Sequence, residues 1–244
     1  HGGPAGWQYQ VYDAELVNDS TLKLTMDSKD GDMNFPGNVK AIVTYELTAD
    51  NALDIKYEAT TDKTTVINMT NHSYFNLSGD ANNTILNDSL YLNSTTFTPV
   101  DSTYMTTGEI VPTEGTLFDF SVMKRIGEEI TEENLKNDEQ MRNGNGYDHN
   151  WVLDRKTASD LELAASVYEP ASGRYMEVWT DQPALQFYGG NFFDGTTTGK
   201  YGKTLNYRES IALETQKYPD TPHHAHFPST LLKPGEQYTH VCVY

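Results

Sequence analysis

The chain reads as an all-β protein, a large antiparallel β-sandwich. Apolar and polar residues alternate with period two, turn residues punctuate the alternating runs, and helical periodicity is confined to one short stretch. Alternation sends successive side chains to opposite faces, so one face of each strand meets a core and the other meets solvent or a ligand.

In chain order, strands are expected near Gln8–Leu16 and Thr21–Met26. The clearest follows, with Val39, Ala41, Val43, Tyr45 and Leu47 alternating against Lys40, Thr44, Glu46 and Thr48. After the break Ala49-Asp50-Asn51, Leu53, Ile55 and Tyr57 resume the pattern, which predicts an antiparallel hairpin. Ser89–Leu92 and Trp151–Leu153 are short strands. A second hairpin runs from Leu161 to Thr180 around Pro170-Ala171-Ser172-Gly173, and Ile211–Glu214 and Tyr238–Val243 complete the set. Asp30-Gly31, Pro36-Gly37, Asp194-Gly195 and Pro234-Gly235 mark turns, and Val122 to Asn134 holds the one helix expected.

The 244 residues carry 17 Lys+Arg against 35 Asp+Glu, a net charge of −18, which repels nucleic acid and anionic membranes alike. No apolar run reaches the roughly 18 residues of a membrane-spanning helix. The single cysteine, Cys242, excludes an internal disulfide and a cysteine-based zinc cluster. No linker or repeat divides residues 1–244, so a single domain is expected. The 16 Tyr, 9 Phe and 3 Trp suit a sugar-binding face and a packed β core equally well. Asn-x-Ser/Thr triplets such as Asn93-Ser94-Thr95 follow from a composition rich in these residues and do not establish secretion. The compartment stays open, with the cytoplasm placed ahead of periplasm or secretion.

Polar groups interrupt the β pattern in four places. In Asn68–Gly79, Asn71 and His72 sit among hydrogen-bonding residues, and His72 is either an aimed acid–base group or a histidine satisfied within a turn. Ile211 and Leu213 share one strand face and Ala212 and Glu214 the other, so Glu214 is either a solvated carboxylate or a base in a cleft. In Gly144–Trp151, Asp148 follows a glycine loop and reads as a strand cap or a site residue. Gln186–Phe192 by itself is a plain turn with amide groups. His223-His224-Ala225-His226 is read as a proline-rich loop rather than a metal site.

Together these segments resemble the aldose 1-epimerase, or galactose mutarotase, family. His1-Gly2-Gly3 with Gly6-Trp7, Thr70-Asn71-His72-Ser73-Tyr74-Phe75-Asn76-Leu77, Gly146-Tyr147-Asp148-His149, Leu213-Glu214-Thr215-Gln216, and Phe227-Pro228-Ser229 with Leu232–Tyr238 stand in the family's order across the chain. The resemblance implies the family's large β-sandwich and interconversion of the α and β anomers of aldohexoses such as galactose and glucose. It implies Glu214 as general base and His72 as general acid. His1 is implied as a second active-site histidine, and Asp148 and Gln186 as groups that hold sugar hydroxyls, with Asn71 beside them. No metal, nucleotide or redox cofactor is implied.

Hemiacetal opening needs one ionised group and one proton donor on opposite sides of the reacting atoms. With ordinary pKa values near about 4.3 and 6.5, Glu214 is expected ionised at pH 7 and His72 held protonated by a neighbouring carboxylate. A glycosidase would want a second carboxylate in equivalent context, and only Asp148 offers one. A hexose-phosphate epimerase would want clustered arginines, and a non-catalytic sugar-binding protein would use the same face without turnover. The family pattern also includes an earlier stretch with an Asn-Arg pair whose arginine lines the sugar site. The expectation is therefore an N-terminally incomplete domain that packs against a separate N-terminal piece or forms a homodimer across an open strand edge.

Overall fold

The computed structural model describes residues 2–79 and 83–244 and divides into two compact units, His1–Met69 with Ser229–Tyr244, and Thr70–Pro228. The first unit begins with β1 (Asp13–Asn18), β2 (Thr21–Ser28), β3 (Val39–Leu47), β4 (Leu53–Thr61) and β5 (Thr65–Val66). The second holds β6 (Ser89–Leu92), β7 (Thr96–Thr98), β8 (Val111–Pro112), β9 (Lys124–Arg125), α1 (Glu132–Asn137), α2 (Glu139–Asn143), β10 (Asp148–Val152), β11 (Glu162–Glu169), β12 (Arg174–Thr180), β13 (Ala184–Tyr188) and β14 (Ala212–Gln216). β15 (Leu231–Leu232) and β16 (Tyr238–Val243) return to the first. Within each unit the strand pairs are antiparallel, as the alternation predicts.

In the first unit the strands run in the order β1-β2-β3-β4-β16, with β5 and β15 paired separately. The hairpin of β3 and β4 pairs Val43 with Tyr57 and Ala41 with Ala59. Its turn closes where Thr48 N–H donates to Ala52 O at 2.9 Å and Asn51 takes a left-handed φ of 65°. Val39, Val43, Ile55, Tyr57, Ala59, Ile67, Leu232 and Tyr238 bury together, each large side chain contributing about 1.5–3 kcal/mol. Trp7–Tyr9 is a 3-10 turn rather than the start of a strand, so the first strand begins only at Asp13.

The second unit contains the sheets β12-β11-β6-β9 and β14-β13-β10-β7-β8. The alternation of three strands sends Leu185 and Phe187, His149 and Trp151, and Leu213 into the core. There Trp151 meets Phe97, Phe118, Phe120, Tyr147 and Phe187 at ring separations of 5.8–6.3 Å, and Tyr147 stacks on Phe187 at 5.2 Å. Trp151 Nε1–H donates to Phe118 O at 3.0 Å and Tyr147 Oη–H to Leu117 O at 2.9 Å, so neither polar tip is stranded.

Two expectations are corrected here. Val122 to Asn134 is not a helix; it carries β9 and a 3-10 turn at Ile126–Glu128, and only its end enters α1. Both helices start where a side chain can cap them, Thr131 Oγ1 accepting Asn134 N–H at 3.1 Å and Asp138 Oδ1 accepting Met141 N–H at 2.9 Å. Gln186 lies within strand β13 rather than in a turn. The turn that Gly189-Gly190 signals begins only after the strand, with Gly190 at φ 67°.

Candidate active site

The face of the five-stranded sheet opposite the aromatic core is polar. Register places Glu214 of β14 opposite Gln186 of β13, Gln186 opposite Asn150 of β10, and Asn150 opposite Thr98 of β7. Period-two geometry then puts Gln216, Tyr188 and Asp148 on the same face. Four strands thus assemble one row of hydrogen-bonding side chains.

His72 reaches this row from a segment without regular secondary structure, tied at both ends to β14 or its approach. Thr70 Oγ1–H donates to Thr215 O at 2.8 Å, and Phe75 exchanges backbone hydrogen bonds of 2.8 and 2.9 Å with Ile211. Between these anchors His72 falls opposite Glu214, with Nε2 3.3 Å from Oε1. Asn71 lies beside it, and its Oδ1 accepts Ser73 N–H at 2.9 Å, which bends the chain at that point. His72 is about one third exposed and Glu214 nearly buried, at 35% and 10% of their side-chain surfaces. Solvent and ligand therefore approach the pair from the histidine side.

Asp148 is delivered by the glycine loop before it. Asn191 Nδ2–H donates to Gly144 O at 3.0 Å and to Tyr147 O at 2.7 Å, while Arg208 donates to Asn191 Oδ1 and to Asn145 O, both at 2.9 Å. A Cβ at Gly146, whose φ is 122°, would stand 2.6 Å from the Arg208 guanidinium, so only glycine fits. Gln186 Nε2–H then donates to Asp148 Oδ1 at 2.8 Å.

Burial, reinforced by the negative charge of Asp148, pushes the Glu214 carboxyl up to about 8. Burial holds His72 below its ordinary 6.5, against a hydrogen bond that raises it. This reverses the expected proton placement, Glu214 ionised and His72 protonated. A site this dry penalises both charges, and the uncharged pair wins in the free protein. The two arrangements have the same net charge and differ by one proton moved across 3.3 Å. The groups also stand side by side rather than on opposite sides of a substrate. That suffices for a hemiacetal, because the two oxygens to be served are bonded to one carbon.

A ring of aromatic groups borders the pair. Tyr74 lies 4.8 Å from the His72 ring, Tyr188 6.1 Å, and Phe192 stacks on Tyr188 at 6.2 Å. Tyr74, Tyr104 and Phe192 are half exposed, whereas the core aromatics are fully buried, so the aromatic residues divide between a packed core and an accessible face. His149, next to Asp148, is a core histidine; its Nδ1 accepts Asp148 N–H at 3.1 Å and burial lowers its pKa to about 3.

Of the residues expected at the site, the structure brings Glu214, His72, Asp148 and Gln186 together and sets Asn71 beside His72; His1 lies outside the described residues. Asn150, Gln216, Tyr74 and Tyr188 were not singled out. Period two from Glu214 and Asp148 would have found Gln216 and Asn150, whereas no local signal marks Arg208. His223 and His224 approach Asp220 at 2.5 and 3.3 Å and His226 bonds Gly108 O at 2.8 Å, and among the described residues no group of three or more His, Cys, Asp or Glu is placed to hold a metal ion.

The aldose 1-epimerase family model matches residues 1–244. The galactose mutarotase of Sus scrofa is 38% identical over 240 residues, covering 98% of this chain and 66% of that protein. The aldose 1-epimerase of Escherichia coli (strain K12) is 37% identical over 246 residues, covering 100% of this chain and 69% of that protein. The crystal structure of an aldose epimerase homologue from C. elegans superposes with a TM-score of 0.88 at 28% identity, covering 100% of this chain and 70% of the other. The chain thus spans just under two thirds of the length of the mammalian relative and slightly more of the bacterial one.

Proposed function

Since the chain belongs to the aldose 1-epimerase family, we propose that it interconverts the α and β anomers of aldohexoses such as galactose and glucose, with Glu214 as general base and His72 as general acid. The observation that carries this reading is the adjacent pair at 3.3 Å, a nearly buried Glu214 beside a solvent-accessible His72, set at one end of a row of hydrogen-bonding side chains.

The chemistry follows from one proton shared between two groups. In the reactive arrangement Glu214 is a carboxylate and His72 an imidazolium. Glu214 takes the proton of the C1 hydroxyl, the freed electron pair becomes the second bond of the C1 carbonyl, and the C1–ring oxygen bond breaks. The ring oxygen takes the His72 proton. Both residues are now neutral, the arrangement that burial favours, so the dry site stabilises the open-chain sugar relative to the ion pair. Rotation about C1–C2 turns the other carbonyl face to the ring oxygen, and the reverse transfers close the opposite anomer. Asp148 and Gln186 hold the sugar hydroxyls, each hydrogen bond to the charged carboxylate contributing about 1.5–3 kcal/mol. Asn71 and His1 are assigned to substrate binding on the family pattern.

Polarimetry of freshly dissolved α-D-galactose or α-D-glucose tests the reading. The approach to equilibrium rotation should accelerate in proportion to protein concentration. Measurable sugar binding with no acceleration would make the chain a binder on the same fold and overturn the enzymatic assignment.

The sugar is the small-molecule partner of this reading, and β1 is the place for a protein one. Among the described residues it is paired only with β2, and all six of its residues are exposed, Leu16 and Val17 included. An open edge of this kind takes a further strand, from an N-terminal piece or from a second copy. Sedimentation of the 244-residue chain should show self-association that Leu16→Lys weakens, and joining an N-terminal extension should both suppress it and tighten sugar binding. A monomer in every case, with equal sugar affinity, would overturn this.

A further inference from the structure

Gln216, Asn150 and Thr98 share the row of Glu214 but take no part in the proton transfers above. Their hydrogen bonds run in one direction. A carboxylate only accepts, so Gln186 must turn its Nε2 toward Asp148, where it donates at 2.8 Å. Its Oε1 then points away and needs a donor, which Gln216 Nε2–H supplies at 3.5 Å while also donating to Asn150 Oδ1 at 3.0 Å. Asn150 Nδ2–H in turn donates to Thr98 Oγ1 at 3.4 Å, and Thr98 Oγ1–H donates to Asn150 O at 3.4 Å. The orientation of each amide dictates that of the next, from a wholly buried threonine to the carboxylate at the site.

We propose that Gln216, anchored through Asn150 on Thr98, is a positioning residue that fixes the amide of Gln186 so that its N–H faces Asp148 and keeps that carboxylate ready to accept sugar hydroxyls. The assignment rests on the aldose reading of the site and adds to it a residue that touches neither the sugar nor the reacting atoms. Its physical basis is the asymmetry of an amide, which has nearly the same shape when flipped but opposite polarity. Without a donor at its Oε1, the Gln186 amide is held only at its Asp148 end, and its buried oxygen must turn or shift to find another donor, which loosens the bond to Asp148.

The surroundings of Asp148 make this bond matter. Glu214 from β14, Tyr188 from β13 and Tyr74 from the segment before β6 all interact electrostatically with it. Glu214, held protonated up to about 8 in part by the charge of Asp148, is itself neutral at pH 7, and so are both tyrosines, burial raising each above its ordinary 10. Burial also pushes Asp148 upward, and the Gln186 hydrogen bond is what pulls it back.

The test reads Asp148 directly, by carboxyl-carbon NMR titration of the sugar-free protein, in wild type, Gln216→Met and Thr98→Val. Gln216→Met should raise the Asp148 midpoint by about one pH unit, and Thr98→Val should move it the same way by less. In polarimetry Gln216→Met should raise KM about tenfold while kcat stays within about threefold. An unmoved midpoint in folded Gln216→Met, or a fall in kcat at constant KM, would overturn the proposal. If Gln216→Met does not fold, an unmoved midpoint in Thr98→Val does so. Because the titration needs no sugar, a shifted midpoint in a protein without mutarotation would count against the proposed function and leave the amide chain standing.

Discussion

Glu214→Gln should slow catalysed anomer interconversion by about 10²–10⁴-fold while leaving sugar affinity close to wild type. The amide matches the carboxylate in volume and still forms hydrogen bonds, but it cannot take the C1 hydroxyl proton. A variant retaining more than about a tenth of the wild-type rate, far above the usual loss of a general base, would remove Glu214 from that role. The same substitution has a consequence for stability. Burial displaces the carboxyl from an ordinary 4.5 to about 8, so between these values the folded chain binds more protons at this site than the unfolded chain. Stability from this group is therefore full below pH 4.5 and is lost as pH rises through 8. Gln carries no such dependence. The variant should match wild type near pH 4 and exceed it at pH 9 by up to roughly 4–5 kcal/mol, at about 1.4 kcal/mol per pH unit. Urea melts at the two pH values measure this, and an equal gap at both would show that Glu214 is not held protonated by the fold.

His72→Asn should lower kcat by a similar factor, about 10²–10⁴-fold, and change the form of the pH–rate profile. In wild type the reactive pair carries one proton. Activity falls on the acid side as His72, held below 6.5, takes a second proton, and on the alkaline side as the pair loses its only one, near 8. Asparagine donates a hydrogen bond but no proton. What remains is the need for ionised Glu214, so the variant should gain activity with rising pH and show no alkaline limb. A bell of unchanged shape at lower height would mean that another group protonates the ring oxygen.

The strands were legible because burial imposes a period on the sequence. β3, β6 and β16 lie where alternation puts them, and the turn at Ala49-Asp50-Asn51 closes on a left-handed asparagine. β13 was not legible, although Leu185 and Phe187 flank Gln186 in the same alternation, because two glycines follow at once. The helices were displaced because the sequence offers one stretch, Val122 to Asn134, that can hold a short helix, while the caps Thr131 and Asp138 decide where helices begin.

For the site the division is different. Local sequence carried the residue types, the glycine before Asp148 and the opposition of Leu213 and Glu214 across one strand. It left open which face of β14 is dry, since period two separates two faces without saying what covers either. Only the tertiary structure decided that, by laying residues 70–75 along β14 and bringing His72 to 3.3 Å from a carboxylate 142 positions away in the chain. It also decided the protonation of the pair, because a pKa depends on how much water and charge surround a group, and neither is written in the residues beside it. The amide chain from Thr98 to Asp148 belongs to the same class. Its members come from β7, β10, β13 and β14, and their order exists only once the register of four strands is set.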